Sequence, residues 1–178
     1  MDVLVMLEEA PGDSPVLARV NSLPASLVPQ GRPREVVTLY GEATADSLAL
    51  ALAAALESRR EPGEHPDAVT HVGIWPGKGA VGDAAWRDHD TGELVSRDLI
   101  IPFDTIRRTA ASLMEECGSA IRKLVAGLSM PDWPEGSRRA ISFSLEPWAL
   151  STSATQRLEG LLEAYRNTNG ISFDNEGE

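Results

Sequence analysis

The sequence is poor in the features that most often mark a specific chemistry or a membrane. A single cysteine, Cys117, among 178 residues excludes an intrachain disulfide and a zinc site made of several cysteines. The longest strongly apolar run, residues 47–56, is far shorter than the roughly 20 residues of a membrane-spanning helix. The first residues have neither the basic start nor the long apolar core of a signal peptide. We therefore expect a cytoplasmic protein that does not enter a membrane.

Basic residues are also few, and almost all of them are arginine. The formal net charge is −11, and residues 61–104 hold nine acidic and three basic side chains, a net charge of −6, whereas residues 105–146 have a net charge of +1. The preference for Arg over Lys suggests a GC-rich bacterial genome. A concentrated negative field repels nucleic acid and favours a basic protein partner, although the same acidity also serves solubility alone.

The hydrophobic fraction of 42% is ordinary for a folded protein, and its pattern predicts both strands and helices. Apolar runs and alternation indicate strands near 2–7, 35–41, 68–75 and 139–146, and a hairpin near 84–101 that turns at Asp90, Thr91 and Gly92. Helical spacing predicts helices near 44–60, 104–128 and 154–167. We expect an α+β or mixed α/β fold, with one sheet of about five or six strands packed against two or three helices.

The length fits one domain, which we place at residues 1–170, followed by an acidic and flexible tail at 171–178. Prolines at positions 11, 15, 24, 29 and 33 interrupt residues 8–34. This connection is therefore predicted to be mostly irregular, with at most one short helix.

Residues 77–82 spell G-x-G-x-x-G directly after a predicted strand, the pattern of a dinucleotide-binding loop. That loop works because a helix follows the last glycine and points its free N–H groups at the pyrophosphate. Here a turn signal follows within ten residues, and Lys78 is not followed by the Ser or Thr of a phosphate-binding P-loop. We expect a loop that reverses the chain. The alternative is a ligand- or phosphate-binding loop formed by Gly77, Lys78 and Gly79, with His71 and an Asp nearby.

Other patterns that suggest metal binding or catalysis are incomplete. Asp88, Asp90 and Gly92 resemble the start of a calcium loop, but Glu93 and Leu99 occupy the positions where an EF-hand needs a glycine and a glutamate. The three histidines match no family of metal sites. Cys117 lies on the apolar stripe of a helix, where thiols are normally inert. We predict no metal, no cofactor and no catalytic residue from these patterns.

The function that remains is binding to another protein. The acidic hairpin offers Asp88, Asp90 and Glu93 to a basic partner, and aromatic anchors are suggested by Trp86, Trp133 and Trp148. The first hypothesis is therefore a non-enzymatic accessory subunit, inhibitor or immunity-type factor. The second is a small enzyme or ligand-binding domain built on the Lys78 loop. A pocket that joins Lys78 to the Asp and His side chains would favour the second, and a convex acidic surface the first.

Overall fold

The computed structural model describes residues 2–10, 12, 16–23, 34–60, 68–75, 77–129 and 139–144. Their elements are β1 (Asp2–Glu8), β2 (Ala18–Leu23), β3 (Arg34–Tyr40), α1 (Ala45–Arg60), β4 (Val69–Trp75), β5 (Gly79–Arg87), β6 (Leu94–Ile101), α2 (Phe103–Leu128) and β7 (Arg139–Ser144).

The strands form one mixed sheet in the order β6-β5-β4-β2-β3-β1-β7. Strands β1 and β3 are parallel, and the other described neighbours are antiparallel. The predicted α+β class is confirmed: a single sheet packs against two helices. All the strands expected from the sequence are present, including both strands of the hairpin. The third predicted helix, residues 154–167, and the tail at 171–178 lie outside the described residues.

Strand β2 was not predicted from the sequence. Its residues, Ala18–Leu23, lie within the connection at 8–34 that was predicted to be mostly irregular. The strand lies in the centre of the sheet, between β3 and β4. Its pattern is weak because the side facing the core carries Ala18, Val20 and Ser22, a small residue, one β-branched residue and a polar one. Ser22 is buried because its hydroxyl donates a hydrogen bond to Oε2 of Glu35 on β3, at 2.7 Å. The burial of Ser22 in β2 therefore depends on Glu35, which lies thirteen residues further along the chain.

Helix α1 begins at a reciprocal cap. Thr44 Oγ1 accepts a hydrogen bond from the Ser47 backbone N–H at 3.1 Å, and the Thr44 N–H donates to Ser47 Oγ at 2.9 Å. This arrangement satisfies N–H groups that have no partner within the helix, and it places Thr44 at the N-cap of α1. Residues 47–58 are buried apart from Leu50, which is half-buried. The many alanines allow this burial, because they let α1 approach both the sheet and α2.

Helix α2 crosses the same layer with a single apolar stripe. Buried positions recur at steps of three and four and confirm the predicted stripe, namely Ile106, Ala110, Leu113, Cys117, Ile121, Leu124 and Leu128. These side chains join one core with α1 and with alternate residues of the strands. In the part of the chain that the structure describes, no helix is long and apolar enough to cross a membrane.

The two faces of the sheet differ. One face carries the core side chains that pack with α1 and α2, such as Val72, Ile74 and Ala84. We call the opposite face the outer face. On β1 and β3 the outer face holds a small buried cluster of Met6 and Val36, with Leu4 packed against it. On β5 and β6 its residues are largely exposed, so this half of the outer face is accessible to a partner.

Candidate interaction surface

The β5–β6 hairpin carries the exposed large hydrophobic side chains of the described residues. Val81 is 48% exposed, Leu94 68% and Ile100 74%. All three alternate with residues of the core face, so they point to the outer face. Val81 and Ile100 are directly opposite each other in the β5–β6 register. Exposed apolar side chains are ordinary when scattered, but here three of them share one hairpin and one face.

Trp75 extends this apolar area onto β4. A Cβ atom added to Gly73 would lie 2.6 Å from Cη2 of the Trp75 ring, so the far end of the indole covers the glycine on the outer face. Gly73 is in turn the register partner of Val81. Trp75, Val81 and Ile100 therefore form one band across three neighbouring strands. Trp75 is half-buried and leaves part of a large rigid ring available for contact.

A charged row lies next to this band. Asp83 on β5 is directly opposite Asp98 on β6, and both side chains are exposed. Like charges directly opposite each other destabilise a sheet. On the other side of Asp83 lies His71, whose Nδ1 is 2.9 Å from Oδ1 of Asn21. His71 therefore extends the row of polar groups from β5 onto β4.

The hairpin tip adds more acidic groups, but one of them has a structural role. Oδ1 of Asp88 accepts hydrogen bonds from the Thr91 N–H at 2.8 Å, the Asp90 N–H at 2.9 Å and the Thr91 hydroxyl at 3.1 Å. The backbone hydrogen bond from Thr91 is the main reason why the pKa of Asp88 lies below its ordinary value of 3.8. Asp88 therefore closes the turn, whereas the side chains of Asp90 and Glu93 are exposed to solvent.

Of the three predicted tryptophan anchors, the structure describes Trp86, which does not share this face. Trp86 is half-buried and lies opposite Val95 on the face that carries Ala84, hence on the helix side of the sheet. Trp133 and Trp148 lie outside the described residues. Trp75 on β4 is an aromatic residue that does lie on the outer face, and its place in the sequence did not mark it as an anchor.

The glycine pattern at 77–82 has a structural explanation at each glycine. Gly77 has φ of +76° in the turn where the Lys78 N–H donates to the Trp75 carbonyl at 3.1 Å. Gly79 has φ of +105°, and a Cβ there would lie 2.4 Å from the Ile101 carbonyl oxygen. A Cβ on Gly82 would lie 1.8 Å from the His71 carbonyl oxygen. The expected reversal is confirmed, but it occupies only the first part of the stretch, because Gly79 and Gly82 belong to β5.

The residues of the ligand-binding alternative are not gathered in one place, because Gly77 and Lys78 precede β5 and His71 lies on β4 opposite Asp83. Lys78 precedes the nine-residue strand β5 and Asp88 follows it, which puts them roughly 30 Å apart at 3.3 Å per residue. Gly79 instead lies against the start of α2, since a Cβ there would be 3.0 Å from the Phe103 nitrogen. An open depression on that helix is lined by Asp104, Arg107, Arg108 and Ala111. Among the described residues, no three His, Cys, Asp or Glu side chains are grouped so as to hold a metal ion.

The exposed hydrophobics were missed because alternation alone does not tell which face of a strand is buried. In "LVSRDLII", apolar residues occupy both faces, so Leu94 and Ile100 look like core. The cross-strand register distinguishes the buried face of β6 from the exposed one, because Leu99 lies opposite Gly82 and Ile101 opposite Ala80. These two small residues lie on the side of the helices and leave space for the larger ones.

Comparisons with known proteins add no family to this description. No family model, no curated protein and no solved structure matches the chain.

Proposed function

We propose that this protein is a binding module that uses the outer face and the tip of the β5–β6 hairpin to hold a basic protein partner. The proposal rests on the presence of exposed apolar and acidic side chains on the same hairpin. The hairpin that presents Val81, Leu94 and Ile100 to solvent also carries five acidic residues, namely Asp83, Asp88, Asp90, Glu93 and Asp98.

Physical reasons favour a partner over a plain solvated surface. Two carboxylates held opposite each other repel, and a basic side chain placed between Asp83 and Asp98 would relieve that repulsion. The neighbouring band of Trp75, Val81 and Ile100 supplies apolar area that a partner can remove from water, at about 25 cal/mol per Å². Charges around an apolar centre are the usual anatomy of a protein interface. An accessory subunit, inhibitor or immunity-type factor in a bacterial cytoplasm fits such a surface, and these finer assignments stay predictions.

The test is differential capture from the lysate of the native host. Wild type is compared with a variant of the surface, Asp83→Asn with Asp98→Asn, and with a control that removes the same charge from exposed positions of α2, Glu115→Gln with Glu116→Gln. We expect a protein with a basic surface that wild type and the α2 control retain and the surface variant loses. Direct titration of that purified protein should give a dissociation constant at least about tenfold weaker for the surface variant, which is a loss of about 1.4 kcal/mol. Equal binding by the two variants would contradict the proposal.

A second function, ligand binding at the Lys78 turn, is favoured by one observation. The turn lies against the start of α2, where Arg107 and Arg108 line the open depression. Free N–H groups at a helix start attract anions. Against this function stand the structural explanation of each glycine and the presence of Asp104 in the same lining. We therefore keep it as the alternative, to be tested with nucleotides.

A further inference from the structure

Strand β6 is the last strand at its end of the described sheet. Its register with β5 is continuous from Leu94 to Ile101, without a bulge. Proteins usually protect such an edge with a very short strand, a bulge, a proline or a charge pointing inward. Here the strand has eight residues and Pro102 comes only after it, and the one charge on its helix side is the exposed Arg97, opposite Ala84. The edge therefore offers a row of backbone groups for pairing.

The hydrogen-bond pattern identifies which residues face that edge. The Asp88 N–H donates to the Glu93 carbonyl at 2.9 Å, and hydrogen-bonded and non-hydrogen-bonded pairs alternate along an antiparallel ladder. Residues 94, 96, 98 and 100 of β6 therefore belong to non-hydrogen-bonded pairs with β5. Their N–H and C=O groups point away from β5, and their side chains lie on the outer face.

We propose that β6 pairs antiparallel with β6 of a second copy of this chain, in the register that places Leu94 opposite Ile100 of that copy. The strand is self-complementary in this register. A two-fold axis through Arg97 repeats the Leu94–Ile100 contact at both ends and places Ser96 opposite Asp98 on both sides of the axis. The two most exposed hydrophobic side chains of the described residues thus cover each other.

Neighbouring registers lose the contact between Leu94 and Ile100. Moving the pairing by two residues in one direction separates the two Arg97 side chains, but it places Asp98 opposite its own copy and Ile100 opposite Ser96. Moving it in the other direction leaves Ile100 beyond the facing strand and Leu94 opposite Asp98. The proposed register and the first alternative each hold one pair of like charges, which costs free energy in a sheet, so the apolar contact decides between them. A shift by one residue turns each side chain to the wrong face. The contact between Leu94 and Ile100 therefore fixes the register.

The expected dimer is weak. Two eight-residue strands bury less than the roughly 1,200 Å² of the smallest stable interfaces, and both copies carry a net charge of −11. In addition, Arg97 meets its own copy on the axis. The proposal does not depend on a basic partner, because the pairing uses the edge of the sheet and its Leu94–Ile100 contact.

A single-cysteine experiment tests the register. Arg97→Cys places two cysteines on the axis as a non-hydrogen-bonded pair, with Cα atoms about 4.5 Å apart, within the range that a disulfide spans. Ser96→Cys is the matched control, since its cysteine is offset from its copy by two residues. Under mild oxidation we expect Arg97→Cys to form a covalent dimer at least about tenfold faster than Ser96→Cys. Wild type, with only the buried Cys117, should form none. Equal rates for the two variants would overturn the register.

Sedimentation equilibrium at rising concentration tests the dimer itself. Wild type should approach twice the monomer mass. Ser96→Pro removes an N–H that points to the open edge, a position where a strand accepts proline, and Ile100→Ser removes the apolar contact. We expect both variants to weaken association about tenfold or more, whereas Val81→Ser, which changes an exposed side chain of β5, should not. Circular dichroism checks that each variant is folded. A wild type that stays monomeric at millimolar concentration, or variants that associate as wild type does, would overturn the proposal.

Discussion

At the scale of single residues, Glu35 shows how this fold buries a charge. Its side chain is 1% exposed, and both oxygens are bound, Oε2 by the Ser22 hydroxyl at 2.7 Å and Oε1 by Nε of Arg59 at 2.6 Å. These contacts join β2, β3 and the end of α1. A buried carboxylate is tolerated when it is paired and hydrogen-bonded, and becomes costly when one partner is removed.

We therefore expect Arg59→Met to lower the free energy of unfolding by about 2 kcal/mol. This is less than the 3–5 kcal/mol of a fully buried pair, because the Arg59 side chain is 35% exposed and solvent screens the interaction. In a Glu35→Gln background the same change should cost much less, since no charge is left to compensate. Urea unfolding of the four proteins measures the coupling. A coupling near zero would show that Arg59 stabilises the fold in another way.

Cys117 is the second residue whose behaviour follows from burial. Its side chain is 1% exposed on the α2 stripe, and desolvation, helped by the charge of Glu116, raises the pKa of the thiol above its ordinary 9.0. The thiolate that reacts with disulfide reagents is therefore scarce in the native protein.

We expect a thiol reagent to label Cys117 fully only after denaturation. Cys117→Ala should cost about 1–2 kcal/mol, the lower part of the range for truncating a core side chain. The pKa of the Cys117 thiol is higher in the folded protein than in the unfolded chain. The contribution of the protonated thiol to the free energy of unfolding is therefore fully present below pH 9.0 and is lost as the pH rises through the folded pKa. Rapid labelling of the native protein at neutral pH would contradict a buried thiol.

At the scale of elements, the turn of the β5–β6 hairpin depends on one carboxylate. Asp88 accepts three hydrogen bonds from the two residues that follow His89. Arg87 adds a hydrogen bond from Nη1 to the Gly92 carbonyl at 2.8 Å. Asp88→Asn keeps an accepting oxygen, whereas Asp88→Ala removes it. We expect the amides of Asp90 and Thr91 to lose protection from hydrogen exchange in Asp88→Ala and to keep most of it in Asp88→Asn.

Acid should reproduce the loss of protection that we expect for Asp88→Ala. These hydrogen bonds lower the pKa of Asp88 in the folded protein. Their contribution to the stability of the turn is therefore fully present above pH 3.8 and is lost as the pH falls through the lower pKa of the folded protein. Amide chemical shifts of Thr91 followed from pH 6 to pH 2 measure this transition. If Asp88→Ala gives the same shifts and the same transition as wild type, Asp88 does not hold the turn.

The glycine stretch leads to a prediction about nucleotides. Gly79 and Gly82 lie in β5, where backbone N–H groups serve the ladders with β4 and β6, and no helix follows them. We therefore expect no change in melting temperature on adding NAD, ATP or GTP at millimolar concentration. A stabilisation that disappears in Lys78→Ala, with Lys123→Ala as the control for lost charge, would support the ligand-binding alternative instead.

The same elements show what a sequence can and cannot predict here. The α2 stripe and the hairpin turn at Asp90, Thr91 and Gly92 were predictable because their signals are local: spacing of three and four in one case, turn residues in the other. Strand β2 was not, because Ser22 is buried only through Glu35, thirteen residues away. The exposure of Leu94 and Ile100 was not predictable either, because it depends on which strand lies beside β6. The formation of β2 and the exposure of Leu94 and Ile100 both depend on how strands pair, which no local pattern in the sequence specifies.

At the scale of the whole molecule, charge distinguishes the two proposed interactions. The chain has a net charge of −11, and Asp83 and Asp98 concentrate part of it on the face next to the β6 edge. Two copies that pair through β6 bring like charges together, whereas a basic partner brings opposite charges to the same face. At physiological ionic strength salt screens exposed charges that lie more than about 8 Å apart. Added salt should therefore favour the pairing of two like-charged copies and disfavour the binding of a basic partner.

We therefore expect rising salt from 20 to 500 mM to strengthen self-association, measured by sedimentation, and to weaken binding of the captured basic protein, measured as a slower association rate. Asp83→Asn with Asp98→Asn should flatten both salt slopes and, at low salt, make the dimer tighter and the partner complex weaker. Glu115→Gln with Glu116→Gln removes the same charge from α2 and should leave both slopes nearly unchanged, because these exposed positions lie on the far side of the sheet from the outer face. If the α2 variant flattens the slopes as much as the surface variant does, net charge alone governs association, and the outer face has no special part in it.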